Sequence, residues 1–277
     1  MRKKYNNAPL PFMGQKRKFV KGFKEHLKGC EKQGVYVDLF GGSGLLSRAA
    51  KDVHSESKVV YNDYDNYRRR LENIPNTNIL LASIRAVTKE MPKDKKMEEG
   101  VKDEILKLIS EQNGWVDYIT LSSSLLFSSN YVKTYEALSK ATFYNCVRES
   151  DYCAHGYLDG LEVVSVSYKE LFDQYKDVPG VVFMVDPPYL STEVGVYTGY
   201  WKLKDYLDVL NVLCTGNYFY FTSNKSNIIE LCEWMSSQCN YVNPFSNAIV
   251  STTSMTLNYN SSYTDYMVFK KSGHLEK

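Results

Sequence analysis

The apolar positions of this chain fall into short runs that stop on polar residues. The sharpest is Val181-Val182-Phe183-Met184-Val185, which ends abruptly at Asp186-Pro187-Pro188-Tyr189. Five apolar, mostly β-branched residues predict a strand buried on both faces. Val35-Tyr36-Val37-Asp38, Lys58-Val59-Val60-Tyr61-Asn62-Asp63, Leu161 to Val166 and Asn217-Tyr218-Phe219-Tyr220-Phe221-Thr222-Ser223-Asn224 read the same way. Between them the period lengthens. Helices are predicted over Asn66 to Asn73, over the charged stretch Lys89 to Gln112 with Val101, Ile105, Leu108 and Ile109 on one face, and over Tyr200 to Leu213 with Leu203, Tyr206, Leu207 and Leu210. Ile228 to Met235 is predicted helical as well, and the proline-punctuated stretch after Ala8 leads into a helix reaching Lys28. Ser251 to Lys271 reads as a loop and a hairpin strand, Tyr263 to Phe269. Strands alternating with helices predict an α/β fold around a mostly parallel sheet.

Asp63 and Asp186 are 123 positions apart, whereas one crossover between parallel strands needs about 30 residues. Something is therefore inserted, and the stretch is mainly helical, aromatic and mixed in charge. The domain expectation is 1–66 and 160–277 for the domain built on the sheet, with 67–159 as an inserted helical recognition module; an ordinary lid is the alternative. Lys133, Lys140 and Arg148, with Tyr131, Tyr135, Tyr144 and Tyr152, could touch phosphates or bases. Arg68, Arg69 and Arg70 read as a solvated helix face.

Composition adds limits. With 277 residues and 43% hydrophobic content the chain can build a real core. The net charge of +2 hides an uneven spread, because Met1 to Lys28 holds nine basic residues against the single acid Glu25. That favours a polyanionic partner, with a solvated helix face as the plainer reading. The six cysteines include no C-x-x-C pair and the four histidines are scattered, so neither a metal site nor a disulfide framework is expected, and reduced cytoplasm is the expected compartment. No apolar run reaches the roughly 18 residues of a membrane span.

The chemistry is expected where strands stop. Pro187 and Pro188 stiffen the backbone after Asp186 and leave carbonyls to accept hydrogen bonds. A rigid carboxylate, a carbonyl and the Tyr189 ring together suit a flat ring bearing an exocyclic amine; a Pro-Pro turn with a core tyrosine is the alternative. After Asp38 comes Leu39-Phe40-Gly41-Gly42-Ser43-Gly44-Leu45-Leu46-Ser47, a glycine loop opening a helix. It matches neither G-x-G-x-x-G nor a P-loop. An acid ahead of a short glycine loop suits a cofactor with positive charge and no phosphate, which points to S-adenosylmethionine. Asp63, at the next strand end, is placed to accept from ribose hydroxyls; a helix cap is the alternative.

Taken in this order, these motifs make the chain resemble the Dam-like (alpha-class) S-adenosylmethionine-dependent DNA N6-adenine methyltransferases. The segment Pro11-Phe12-Met13-Gly14-Gln15-Lys16 is similar to the family's aromatic-x-Gly-Gly-Lys block, with Gln15 at the second glycine. Asp38 to Gly44 is similar to its acid-Pro-Phe-x-Gly-x-Gly, with Leu39 for proline, and Asp186-Pro187-Pro188-Tyr189 completes the set. Ser167-Tyr168 stands where the family often has an acid before phenylalanine.

The resemblance implies a Rossmann-like methyltransferase sheet, mostly parallel with an antiparallel C-terminal strand, plus the inserted, mainly helical target-recognition domain. It implies cofactor contacts by Phe12, Gly14, Lys16, Asp38, Phe40, Gly42, Gly44, Asp63 and Asp186. Catalysis falls to Asp186, Pro187, Pro188 and Tyr189, acting on a flipped adenine in double-stranded DNA without a metal. Further expectations are a monomer, a cognate restriction endonuclease as partner, and a bacterial or phage-encoded origin. The rival readings are methylation of cytosine N4 or of RNA, and a silent DNA-binding relative.

Overall fold

Alternation along the strands sorts the core into two layers of side chains, one on each face of a single sheet. The computed structural model describes residues 5–127, 130–188, 201–238, 241–258 and 261–271. In chain order the elements begin with α1 (Val20–Leu27), β1 (Val35–Asp38), α2 (Leu45–Val53) and β2 (Lys58–Asn62). Five helices follow: α3 (Tyr67–Glu72), α4 (Ile74–Val87), α5 (Glu99–Ser110), α6 (Tyr118–Leu125) and α7 (Tyr135–Lys140). The chain then runs through β3 (Glu162–Val164), α8 (Tyr168–Tyr175), β4 (Val182–Val185), α9 (Leu203–Leu213), β5 (Tyr218–Ser223), α10 (Ile228–Gln238), β6 (Ile249–Asn258) and β7 (Ser261–Lys270).

The chain divides into two units, one of residues 1–7, 15–65 and 158–277, the other of residues 8–14 and 66–157. The first contains a seven-stranded sheet in the order β3-β2-β1-β4-β5-β7-β6. β3, β2, β1, β4 and β5 are parallel, while β7 runs antiparallel to β5 and β6 antiparallel to β7. The mostly parallel α/β expectation holds. The carboxyl end differs in one respect. The stretch expected to be loop and one strand is a hairpin of two ten-residue strands, because Ile249 to Ser254, rich in Ser and Thr, pairs along β7 at the sheet edge where no apolar run is needed.

Successive side chains on a strand point to opposite faces, and the core follows. Tyr36, Val59, Val182, Met184, Phe219 and Phe221 pack with Val20, Phe23 and Leu27 of α1 and with Leu45, Leu46, Ala49 and Ala50 of α2. Their neighbours Val37, Val60, Phe183, Val185, Tyr218 and Tyr220 pack on the other face with Leu171 of α8, Val209, Leu210 and Leu213 of α9, and Ile228 and Cys232 of α10. Helices on both faces are what strands apolar at every position require. Fully burying one such side chain contributes roughly 1.5–3 kcal/mol.

The second unit is helical. Ile105 and Ile109 of α5 are buried, one turn apart, as the amphipathic pattern of that stretch predicts, although the helix begins only at Glu99. The arginine run differs from its expectation. Arg68 pairs with Glu72 at the surface and Arg69 lies over the Trp115 ring, but Arg70 is buried and ion-paired with Asp117. Among the described residues no helix is long and apolar enough to cross a membrane.

Candidate active site

Parallel pairing brings the carboxyl ends of β1, β2 and β4 to one rim of the sheet, as the registers Asp38↔Met184 and Asp38↔Tyr61 show. Asp38, Asp63 and Asp186 follow directly from those strand ends, so the topology gathers three carboxylates that lie far apart in sequence. Asn62 fixes the rim. Its amide donates to the Leu39 and Val166 carbonyls, both at 3.0 Å, and its oxygen accepts from the Val166 N–H at 3.1 Å. One side chain thus staples the ends of β1 and β3 to β2. The motif reading includes Asn62 beside Asp63 but gives its amide no role, although a buried amide beside a strand-end acid is a usable signal.

Asp38 is fully buried. Its Oδ2 accepts from the Ser47 hydroxyl on α2 at 2.6 Å, while Oδ1 is buried without a hydrogen-bond partner. Burial pushes its carboxyl up to about 7, against the Ser47 hydroxyl and helped by the nearby charge of Asp186. A buried acceptor left without a partner is costly, and a cationic or N–H-bearing ligand at that point removes the cost.

The glycine loop is shaped for close approach. Gly42 and Gly44 have φ of +49° and +71°, a region that favours glycine. At Gly41 a side chain has no room: a Cβ would lie 2.3 Å from the Tyr61 ring and 2.8 Å from the Asn62 carbonyl oxygen. Tyr61 also ties the loop to the second acid, since its hydroxyl lies 2.7 Å from the Gly42 carbonyl and 3.0 Å from Asp63 Oδ1 and its one proton serves either. Asp63 itself is buried, with its N–H on the Val164 carbonyl of β3 at 2.7 Å. Gly41→Ala is expected to destabilise the protein by about 1–3 kcal/mol and to displace the loop. A thermal melt and a cofactor titration unchanged from wild type would refute this reading of the loop.

Phe40 packs against Tyr168, ring centroids 4.9 Å apart, and against Trp201 at 5.6 Å. Tyr168 in turn stacks on Trp201 at 5.7 Å. The motif reading missed Trp201 as part of this cluster; no local pattern marks it. Ser167 caps α8, accepting from the Lys169 N–H, so the departure at Ser167-Tyr168 leaves an aromatic and not an acid at this strand end.

At the end of β4, Asp186 is ion-paired with Lys16, Nζ to Oδ2 2.7 Å, and Lys16 is buried. Burial raises the Asp186 carboxyl, the Lys16 ammonium pulls it back down, and Asp265 adds a smaller upward push. Pro187 is buried and Pro188 half-buried. Tyr189 lies outside the described residues. Phe12 and Gly14 belong to the second unit, where Phe12 meets the edge of Tyr67, centroids 5.7 Å apart, and Gly14 has φ of +80°. Lys133 and Lys140 of the same unit are exposed, and the Arg148 guanidinium lies 4.1 Å over the Tyr152 ring with Nη2 on the Ser150 hydroxyl. No group of three or more metal-ligating side chains occurs among the described residues.

These strand-end acids and the glycine loop fit a cofactor carrying positive charge. The chain is 37% identical over 278 residues, 97% of its own length and 94% of the relative's, to a Haemophilus influenzae protein bearing the name "Putative methyltransferase". Residues 12–211 match the model of the D12 class N6 adenine-specific DNA methyltransferases, and with the match covering most of the chain, this protein belongs to that family.

Proposed function

We propose that the rim of the first unit transfers a methyl group to N6 of an adenine flipped out of duplex DNA, with Asp186 and the Pro187 carbonyl receiving the amine. The family's activity is N6-adenine methylation of DNA, which implies S-adenosylmethionine as donor. The observation that carries the residue assignment is the ion pair of buried Lys16 with Asp186 at the rim that also bears Asp38 and Asp63.

S-adenosylmethionine supplies an electrophilic methyl group on a sulfonium centre. Everything else falls to the chain. Asp38, with its unpaired buried oxygen, receives the positively charged end of the cofactor, and Asp63 accepts from the ribose hydroxyls. Gly42 and Gly44 let the backbone approach, and Phe40, with Tyr168 and Trp201 behind it, offers an aromatic face to the adenine moiety. The family's first motif assigns Phe12, Gly14 and Lys16 to the cofactor as well.

At the base, N6 is a poor nucleophile because its lone pair is delocalised into the ring. Asp186 Oδ2 is taken by Lys16, so Oδ1 is the oxygen left to accept one N6 hydrogen, while the Pro187 carbonyl accepts the other and Tyr189 stacks on the ring. Holding both hydrogens localises the lone pair toward the methyl group, and positioning supplies the catalysis. Once the amine had taken the methyl group, its surplus N6 proton would leave through Asp186 Oδ1. Lys133, Lys140 and Arg148 contact phosphates of the duplex.

Sequencing with base-modification detection of DNA from a methylation-deficient host tests the whole. Expression of this chain should leave modified adenines at one recurrent motif; unmodified DNA alongside soluble protein would reject the proposal. Lys16 has its own test. Replacing it with methionine removes the cation that favours the ionised Asp186, so the Asp186 carboxyl should rise further. The acidic limb of log kcat/KM against pH should then move to higher pH, with activity partly recovered as pH increases. An unshifted limb would separate Lys16 from the ionisation of Asp186.

A further inference from the structure

The amino-terminal segment is held at two places by different parts of the chain. Residues 8–14 belong to the helical unit, which holds them chiefly by the backbone. The Tyr67 hydroxyl accepts from the Leu10 N–H at 2.9 Å and donates to the Leu10 carbonyl at 3.1 Å. Arg70 Nη2 donates to the Pro11 carbonyl at 2.8 Å. Arg70 is itself fixed, Nε lying 3.1 and 3.0 Å from the two Asp117 oxygens and Nη2 3.1 Å from the Thr120 hydroxyl. Asp117 is the N-cap of α6, accepting from the Thr120 N–H at 3.1 Å and from its hydroxyl at 2.6 Å. Arg70 and Asp117 are buried, and Pro9 and Pro11 make the gripped backbone stiff.

Lys16 belongs to the catalytic unit, where it meets Asp186. Phe12 is held by the Tyr67 ring, so only Met13, Gly14 and Gln15 separate Lys16 from the gripped residues, and Gly14 takes a positive φ that a side chain would strain. A three-residue strap therefore joins a backbone clamp to the ion pair at the reacting end of the site.

We infer that Tyr67, Arg70 and Asp117 are positioning residues for methyl transfer. By gripping Leu10 to Phe12 they set, through the strap, where Lys16 stands against Asp186, so that occupation of the cofactor site is felt at α3 and α6. Such coupling runs equally in both directions, which lets the recognition unit bias the catalytic carboxylate. The inference rests on the cofactor reading above and extends it to residues that no motif marks.

Hydrogen exchange of the full chain, read by mass spectrometry with and without saturating S-adenosylhomocysteine, tests it. In wild type the ligand should slow exchange severalfold in peptides covering residues 8–14 and 117–125. In Tyr67→Phe, which loses one hydroxyl, and in Arg70→Met, the slowing should stay within peptides of the catalytic unit while affinity for S-adenosylhomocysteine falls severalfold. A merely structural clamp would lower the melting temperature of the variants yet leave the ligand-induced slowing at 117–125 intact, and that result overturns the inference. Should Arg70→Met not fold, Tyr67→Phe alone decides between these outcomes. Wild-type binding with slowing confined to the catalytic unit overturns this inference only, whereas no binding by wild type overturns the cofactor reading with it.

Discussion

Asp186→Ala should lower methyl transfer by about 10³-fold or more while leaving a folded protein that still binds S-adenosylhomocysteine. The expectation has two parts. On the proposed reading, loss of the carboxylate removes the acceptor of one N6 hydrogen as charge develops, and removing one such preorganised group costs on the order of 10²–10³ in kcat. It also removes the carboxylate that Lys16 meets at 2.7 Å, so the rim is perturbed beyond the missing oxygen. Asp186→Asn separates the parts, since it keeps the shape and an acceptor oxygen but not the charge. Single-turnover rates with labelled donor, beside a binding titration, give the reading. A variant that turns over like wild type would end the assignment of Asp186 to the reacting amine. One internal check is available: with the Asp186 charge gone, the carboxyl of Asp38, held up in part by that charge, should titrate lower.

Asp38→Asn should do the opposite to stability and the same to function. Asp38 in the folded chain titrates at about 7, up from an ordinary 3.8, because it is buried. Below about pH 4 folded and unfolded chains both carry the proton, and the group contributes nothing. Between about 4 and 7 the unfolded chain releases its proton first, so the unfolded state gains and the ligand-free fold weakens as pH rises. Above 7 the loss is complete, on the order of 4 kcal/mol from a shift of that size. Asparagine cannot ionise, so the variant should be more stable than wild type at pH 8 and nearly equal to it near pH 4. Urea melts across that range would show the gap opening with pH. An equal gap at both ends would contradict the burial argument. Cofactor affinity should fall sharply, because the cationic end of the ligand loses its counter-charge.

Much of this site could be read from the chain because its carriers are local. Asp38, Asp63 and Asp186 each end a run of apolar residues, and a fully buried strand such as Val182 to Val185 declares itself through composition alone. What stayed hidden depends on partners far away in sequence. Arg70 in a run of three arginines looks like solvated charge until Asp117 arrives 47 residues later. Asn62 looks like a strand end until Val166 comes to it across 104 residues. β6 is not legible either: after Ile249-Val250 it continues through Ser251-Thr252-Thr253-Ser254, because an edge strand with one exposed side can be built from Ser and Thr and no sustained apolar run announces it. Trp201 became part of the Phe40 cluster only through the packing of α9 and α8 beside the sheet.

The strand order also governs how the molecule comes to exist. β1 is flanked by β2 and β4, so its second neighbour is synthesised some 140 residues after it, behind the entire helical unit. Until β4 emerges, β1 presents an open hydrogen-bonding edge beside a row of apolar side chains, the condition under which nascent strands pair with the wrong chain. The helical unit, residues 8–14 and 66–157, is complete in the chain before β4 and can form meanwhile on the ribosome. Closure of the sheet and assembly of the Lys16–Asp186 pair then coincide in one late, long-range event. Slow folding follows from contacts of that separation, and fragments that end before β4 will gather as aggregates, not as half an enzyme.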